Sequence, residues 1–261
     1  MTAKSARPRI AVFKYSSCDG CQLSLLELED ELLALVGAVE VAYFPEASRD
    51  YGKAPFDISL VEGSVTSPHE AETIKQVRAD SKILVSIGAC ATGGGIQALK
   101  NFADVKEFTK IVYAHPEFIH TLDKATPISA HVKVDAELRG CPISKFQLLE
   151  LVSATLNGRR PNISSASVCM ECKKKGNTCV MVGKGMPCMG PVVQAGCGAL
   201  CPSFNRGCYS CFGPKEVPNT AAMAGHFKYM GLDEADIVRW FRTYNSAADD
   251  FAKESELHEG R

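Results

Sequence analysis

The stretch KILVSIGACATGGGIQAL, residues 82–99, decides the fold. Its first seven residues are an apolar run of buried-strand length, followed by a glycine-rich turn and a short helix. Cys90 stands in that turn, where glycines permit close backbone approach and positive φ. The same grammar recurs outward. PRIAVFKY (8–15), VEVAYF (39–44) and FDISLVEG (56–63) read as further strands. Leucines at 25/26, 28, 32/33 and 35 predict a helix over 22–36, with Gly37 as its stop. SPHEAETIKQVRAD (67–80) predicts a helix capped by Ser67, with Pro68 at its first position. KIVYAH (110–115) reads as a fifth strand, HVKVDAEL (131–138) alternates, and 142–156 reads as a helix ending at Asn157-Gly158. This order predicts an α/β chain with an open, mostly parallel, doubly wound sheet.

The chain has 261 residues, 29 basic against 30 acidic side chains and 46% apolar residues, which excludes whole-chain disorder. A net charge of −1 gives no reason to expect nucleic acid as a partner. The uncharged window Ile83 to Leu99 is glycine-broken and too short for a bilayer helix, so no direct membrane insertion is expected. The opening MTAKSARPRI lacks the apolar core of a secretory signal, which points to the cytoplasm.

Structural disulfides are uncommon in that reducing compartment, so twelve cysteines point to metal rather than to buried apolar thiols. Cys18 and Cys21 (SSCDGC), Cys90 and Cys141 (RGCP) each follow a predicted strand. In a parallel sheet such segments converge on one crevice, where helix N-termini favour an anionic centre. A thioredoxin-like dithiol would explain Cys18 and Cys21 alone, but not Cys90 and Cys141.

From 161 to 215 the pattern changes. Eight cysteines and eight glycines fall there, with no long apolar period. Between Arg159 and Lys215 there are eight basic residues (159, 160, 173, 174, 175, 184, 206 and 215) and one acid, Glu171. Zinc is one reading of paired CxxC motifs. Iron–sulfur is favoured because twelve divides into three sets of four, because Cys141-Pro142 and Cys201-Pro202 repeat a ferredoxin-type ending, and because local basic charge suits anionic clusters. We group Cys169, Cys172, Cys179 and Cys188 as one set, and Cys197, Cys201, Cys208 and Cys211 as the other. Cys188 and Cys201 are free to exchange between them. The Lys173–Lys175 run reads as a solvated loop in preference to a guide for an acidic partner. The six histidines show no metal-binding spacing, ATGGG lacks a P-loop ending, and no Ser/His/Asp constellation is found. Residues 216–261 read as a helical tail with a frayed acidic end.

SSCDGCQLSLLELEDELL, LVEGSV, SIGACATGGGIQAL and LRGCPISK resemble the small, electron-transferring subunit of [NiFe]-hydrogenases. MPCMGPVVQAGCGALCP and CYSCFGP resemble its cytoplasmic, multi-subunit group, the NADP-linked hydrogenases or sulfhydrogenases. The resemblance implies a flavodoxin-like domain (1–160) holding a proximal [4Fe-4S] cluster on Cys18, Cys21, Cys90 and Cys141. It implies a small irregular domain (161–215) with distal (169, 172, 179, 188) and medial (197, 201, 208, 211) [4Fe-4S] clusters, and a C-terminal helix (216–261). The NiFe centre belongs to a large subunit; flavin and NAD(P) belong to a diaphorase-type subunit reached through a ferredoxin-like one. Many relatives have histidine at the place of Cys169 and proline at that of Cys201, so three four-iron centres of lower potential are implied. Gln22-Leu23 replaces a Ser-Glu pair, which leaves Glu62 as a weaker proton-handling candidate, or simply a strand-end carboxylate bonded to backbone.

Two other classes stay open. The cluster-bearing subunit of respiratory NADH dehydrogenase-like complexes shares the N-terminal fold, but it uses adjacent cysteines and one cluster. A zinc-binding interaction protein is the other.

Overall fold

The computed structural model describes residues 7–260; residues 1–6, part of the segment judged for a secretory signal, lie outside it. The chain begins with β1 (Arg9–Lys14), α1 (Gly20–Leu26), α2 (Asp30–Ala38), β2 (Glu40–Tyr43) and β3 (Phe56–Glu62). Next come α3 (Pro68–Asp80), β4 (Ser81–Ile87) and α4 (Gly88–Gly93). A 3-10 turn over Ile96–Phe102 leads to α5 (Val105–Val112), β5 (Ala136–Leu138) and α6 (Lys145–Leu156). All strand pairs are parallel, in the order β2-β1-β3-β4-β5. This is a doubly wound order whose switch point lies between β1 and β3.

Period-2 alternation explains the two buried faces. Val12, Leu60 and Val85 face Leu25 of α1 and Leu148, Leu151 and Val152 of α6. Val61 and Leu84 face Ile74 and Val77 of α3. The start of α3 is set by a capping box: Ser67 Oγ accepts from Glu70 N–H, and Glu70 accepts from Ser67 N–H.

Several expectations are corrected. The helix over 22–36 is two helices, because the chain turns at Glu29 (φ 55°) after sinking Leu28 into the core. Gly37 is not the stop; α2 runs through it until Val39 becomes extended on entry to β2. KIVYAH is not a strand. Asp104 accepts from Lys106 N–H and Glu107 N–H, so its apolar residues continue a capped helix, α5. The fifth strand is Ala136–Leu138, where Leu84 N–H and Arg78 both donate to Asp135. The last predicted helix of this half starts at Lys145 and not at Pro142, after a turn that pairs Gly140 with Ile143.

The rest of the described chain holds α7 (Val168–Lys174), α8 (Val180–Lys184), α9 (Leu200–Ser203), α10 (Thr220–Tyr229), α11 (Glu234–Phe241) and α12 (Asp249–His258). Three helices thus replace the single C-terminal one. The acidic end is folded in: Phe251 packs edge-on against Phe241 with centroids 5.6 Å apart, and His258 lies buried between Glu234 and Glu254. Phe227, Ile237, Phe241 and Phe251 share one core with Val168, Val180, Met189, Val193 and Phe212. That shared core supplies what the glycine-rich segment cannot build alone. Among the described residues no helix is long and apolar enough to cross a membrane.

Candidate functional site

Four cysteines meet outside the C-terminal ends of the strands. Cys18 and Cys21 flank Asp19, whose left-handed backbone (φ 68°) turns the chain from β1 into α1. Cys90 lies on α4 after β4, and Cys141 lies in the turn after β5. Ala89 N–H donates to Gly140 O (2.9 Å), which holds these two turns together. Cys18, Cys90 and Cys141 line a cavity of about 280 Å3 with Gln97 and Tyr244. Burial pushes the Cys21 thiol well up, and nearby Glu62, Cys90 and Cys141 add to this. Cys90 is pushed up to about 11 by burial, against a hydrogen bond from Gln97. Thiols that resist ionisation this way need a cationic centre to hold them together as thiolates.

Backbone shape leaves the sulfurs room. A Cβ on Gly88 (φ +94°) would lie 2.6 Å from Cys21 Sγ, and one on Gly95 (φ +67°) 2.6 Å from Cys90 Sγ. Glu62 is buried at the end of β3 and accepts from Cys21 N–H (3.1 Å) and Gln22 Nε2 (2.7 Å). Burial raises its pKa, opposed by those two bonds. Gln22 is fully buried and turned to Glu62, while Leu23 is exposed. A carboxylate therefore sits beside this quartet although the acid after Cys21 is missing.

The other eight thiols lie close to one another, with Cys172 near Cys197, and Cys188 near both Cys201 and Cys208. Cys169 is pushed up to about 11 by burial and then by Cys188, Cys172 and Cys179. A Cβ on Gly190 would lie 3.4 and 3.5 Å from the sulfurs of Cys188 and Cys169, so these two flank one glycine. Cys197, Cys201, Cys208 and Cys211 line a cavity of about 640 Å3 walled by Ile143, Val168, Leu200 and Phe212. Cys211 is pushed up to about 12, by burial and then by Cys197, Cys141 and Cys201.

Cys208 N–H donates to Cys188 Sγ (3.1 Å), and the Cys141 amide lies beside the Cys211 thiol. Among the described residues no three His, Cys, Asp or Glu side chains are gathered closely enough to hold a single ion. A zinc ion needs its thiolates about 2.3 Å from one point. The free thiols of Cys197, Cys201, Cys208 and Cys211 border apolar-walled space that fits a larger, multi-atom centre.

Sequence reading missed Gln97, Tyr244 and Asn245. Asn245 is buried; its Nδ2 donates to Ser210 O (2.9 Å) and Cys211 O (3.3 Å), and its Oδ1 packs on Gly93. Nothing in the spacing of a loop between two helices signals this.

A family model described as NADH ubiquinone oxidoreductase, 20 Kd subunit, matches residues 18–155. Sulfhydrogenase 2 subunit delta of Pyrococcus furiosus is 34% identical over 90% of this chain and 98% of its own. A structure of NAD+-reducing [NiFe]-hydrogenase aligns with TM-score 0.56 and 30% identity, over 60% of this chain and 96% of that one. The recombinant [NiFeSe] hydrogenase of Desulfovibrio vulgaris Hildenborough (TM-score 0.54, 17% identity, 83% of this chain and 96% of that one) shares the fold further along the chain.

Proposed function

This chain belongs to the family of [NiFe]-hydrogenase small subunits, within the wider family of the 20 kDa NADH:ubiquinone oxidoreductase subunit, and from that membership we propose a three-step electron relay. It is a subunit of a hydrogenase, an oxidoreductase acting on hydrogen. Cys18, Cys21, Cys90 and Cys141 would hold the proximal [4Fe-4S] cluster, Cys197, Cys201, Cys208 and Cys211 the medial one, and Cys169, Cys172, Cys179 and Cys188 the distal one. Each such cluster, when bound, takes up and gives back one electron at a time.

The residues of this chain fix where that happens. The hydrogen bond from Cys208 N–H to Cys188 Sγ carries the reading, with the Cys141 amide beside the Cys211 thiol, since the three proposed sets would then follow one another in series. Amides aimed at sulfur stabilise negative charge: Ile143 serves Cys21, Ala199 and Leu200 serve Cys197, and Gly190 serves Cys188. Glu62 is the proton-handling candidate beside the proximal set. A NiFe centre on the large subunit would face that set, and a diaphorase-type partner using flavin and NAD(P), with its ferredoxin-like subunit, would take electrons beyond Cys179. The complex is expected in the cytoplasm.

The NADH dehydrogenase-like alternative is disfavoured because the family match ends at Thr155 and eight cysteines follow it. Iron and acid-labile sulfide are measured on the anaerobically purified complex. About twelve irons on this chain are expected, and about four, or zinc without sulfide, overturn the relay. Cys141→Ala should lose about four irons while the other two sets load. A full complement in that variant overturns the proximal assignment.

A further inference from the structure

We infer that Glu171 is the positioning residue that sets the potential of the Cys197, Cys201, Cys208 and Cys211 set, holding it low by a negative charge fixed beside Cys197. The inference rests on the relay reading, which puts a one-electron centre on those four cysteines.

Glu171 is out of keeping with its surroundings. It is the one acid between Arg159 and Lys215, against eight basic residues. Lys173, Lys174 and Lys175 lie just beyond it in the chain and are exposed. An acid so placed usually lies at the surface against a lysine. Among the described residues, however, Glu171 forms no ion pair. It is half-buried and turned inward from α7, where its Oε2 accepts from Ala199 N–H at 3.2 Å. Among the described residues it is also the only acid lining the cavity that the four cysteines border. The one base in that lining, Lys145, turns its Nζ to Glu27 O (3.3 Å).

Ala199 is fully buried with a left-handed backbone (φ 51°), and its N–H also faces the Cys197 thiol. One donor is thus shared between a carboxylate and a sulfur. Two effects then act in the same direction. Taking up an electron adds one negative charge at the set, with no bond or proton exchanged at Glu171. A carboxylate fixed beside it, poorly screened by water, raises the energy of that reduced state. The carboxylate also draws the Ala199 N–H away from the sulfur, where it would stabilise the same state. The exposed lysines offset little of this, because solvent and salt screen them. Even Lys175, whose Nζ lies over Gly198, is on the solvent side. The field reaches the sulfur: burial raises the pKa of the Cys197 thiol, and Glu171 adds to the rise against the Leu200 and Ala199 amides.

The test is a redox titration of the intact, anaerobically purified complex, followed by the paramagnetic resonance of its reduced centres. The signal missing from the Cys197→Ala complex identifies the set. Glu171→Gln keeps an acceptor for Ala199 N–H and removes the charge. It should favour the reduced form of that set about tenfold, a rise of about 59 mV for one electron. Iron content and the other two signals should stay as they are. Glu171→Asp, which keeps the charge, should remain near the wild-type potential; a rise equal to that of Glu171→Gln overturns the proposal. So does an unmoved signal in Glu171→Gln with all irons present, or a shift confined to the centre of Cys169 and Cys172. Glu171→Ala is a second uncharged variant, expected to shift the same signal upward. Loss of iron in both uncharged variants makes Glu171 a brace for Ala199 and nothing more, and also overturns the proposal. A wild-type complex with only about four irons on this chain overturns the relay reading instead.

Discussion

Gly88 and Glu70 shape the surroundings of Cys18 and Cys21 from opposite directions, one by absence of bulk and the other by hydrogen bonds. Gly88 has φ +94° and no space for a Cβ beside Cys21 Sγ. Gly88→Ala should cost about 1–3 kcal/mol and remove about four irons, read by denaturation and iron analysis. Glu70 accepts from Thr66 N–H (2.7 Å), Ser67 N–H (2.9 Å) and Ser16 Oγ (2.9 Å), so it ties the turn before Cys18 to the start of α3. Burial raises its pKa, but these bonds outweigh burial and leave it lowered. A carboxyl lowered on folding stabilises above its ordinary range and loses that contribution as pH falls through the folded value. Glu70→Gln should therefore cost about 1–2 kcal/mol at pH 7, with the difference closing below about pH 4 in urea titrations. A gap that stays constant with pH would contradict this.

At the scale of elements, α10 to α12 matter more than a tail would. Phe251 is fully buried against Phe241, and Arg242 reaches back to Ser255 and Glu259. Phe251→Ala should cost about 3–5 kcal/mol, because the cavity it leaves lies in the core that also holds Cys188 and Cys208. The turn between α11 and α12 has its own task. Asn245 bonds the carbonyls of Ser210 and Cys211, while Ala247 N–H donates to Gly93 O (3.1 Å) three residues from Cys90. It fastens the turn of Cys211 to the helix of Cys90. Asn245→Leu, which abandons both carbonyls, should cost about 2–3 kcal/mol and broaden the signals of the proximal and medial centres in paramagnetic resonance, leaving the distal one unchanged. Equal broadening of all three would assign Asn245 a merely structural role.

For the molecule as a whole, the two halves differ in what holds them. The sheet half has two packed faces of its own. The half from Val168 onward has short helices of four to seven residues between its cysteines, resting on the core of α10–α12. Binding free energy of metal is folding free energy for such a segment. Stripping metal anaerobically should open 174–187 to limited proteolysis while β1–β5 stay resistant, read by mass spectrometry of the fragments. Resistance of both halves would show that the second folds without its centres.

Legibility divides along the same lines. Strands β1 to β4 and the capped helix α3 were readable, because each depends on neighbours close in the chain: an apolar run, or Ser67 with Glu70. KIVYAH misled because a short apolar run suits helix or strand alike, and the Asp104 cap settles it only once formed. Residues 22–36 misled because the depth to which Leu28 sinks depends on what lies beneath it.

Which atoms can bind metal, and that a parallel sheet presents the first four of them at one edge, follows from the amino-acid order alone: residue type and local periodicity are properties of the chain. The meeting of Cys208 with Cys188, the place of Glu62 behind Cys21, and the fastening of Cys211 to Gly93 through Asn245 were decided only by tertiary structure. Each is a meeting of segments tens of residues apart, made possible by packing, and no local pattern encodes such a meeting.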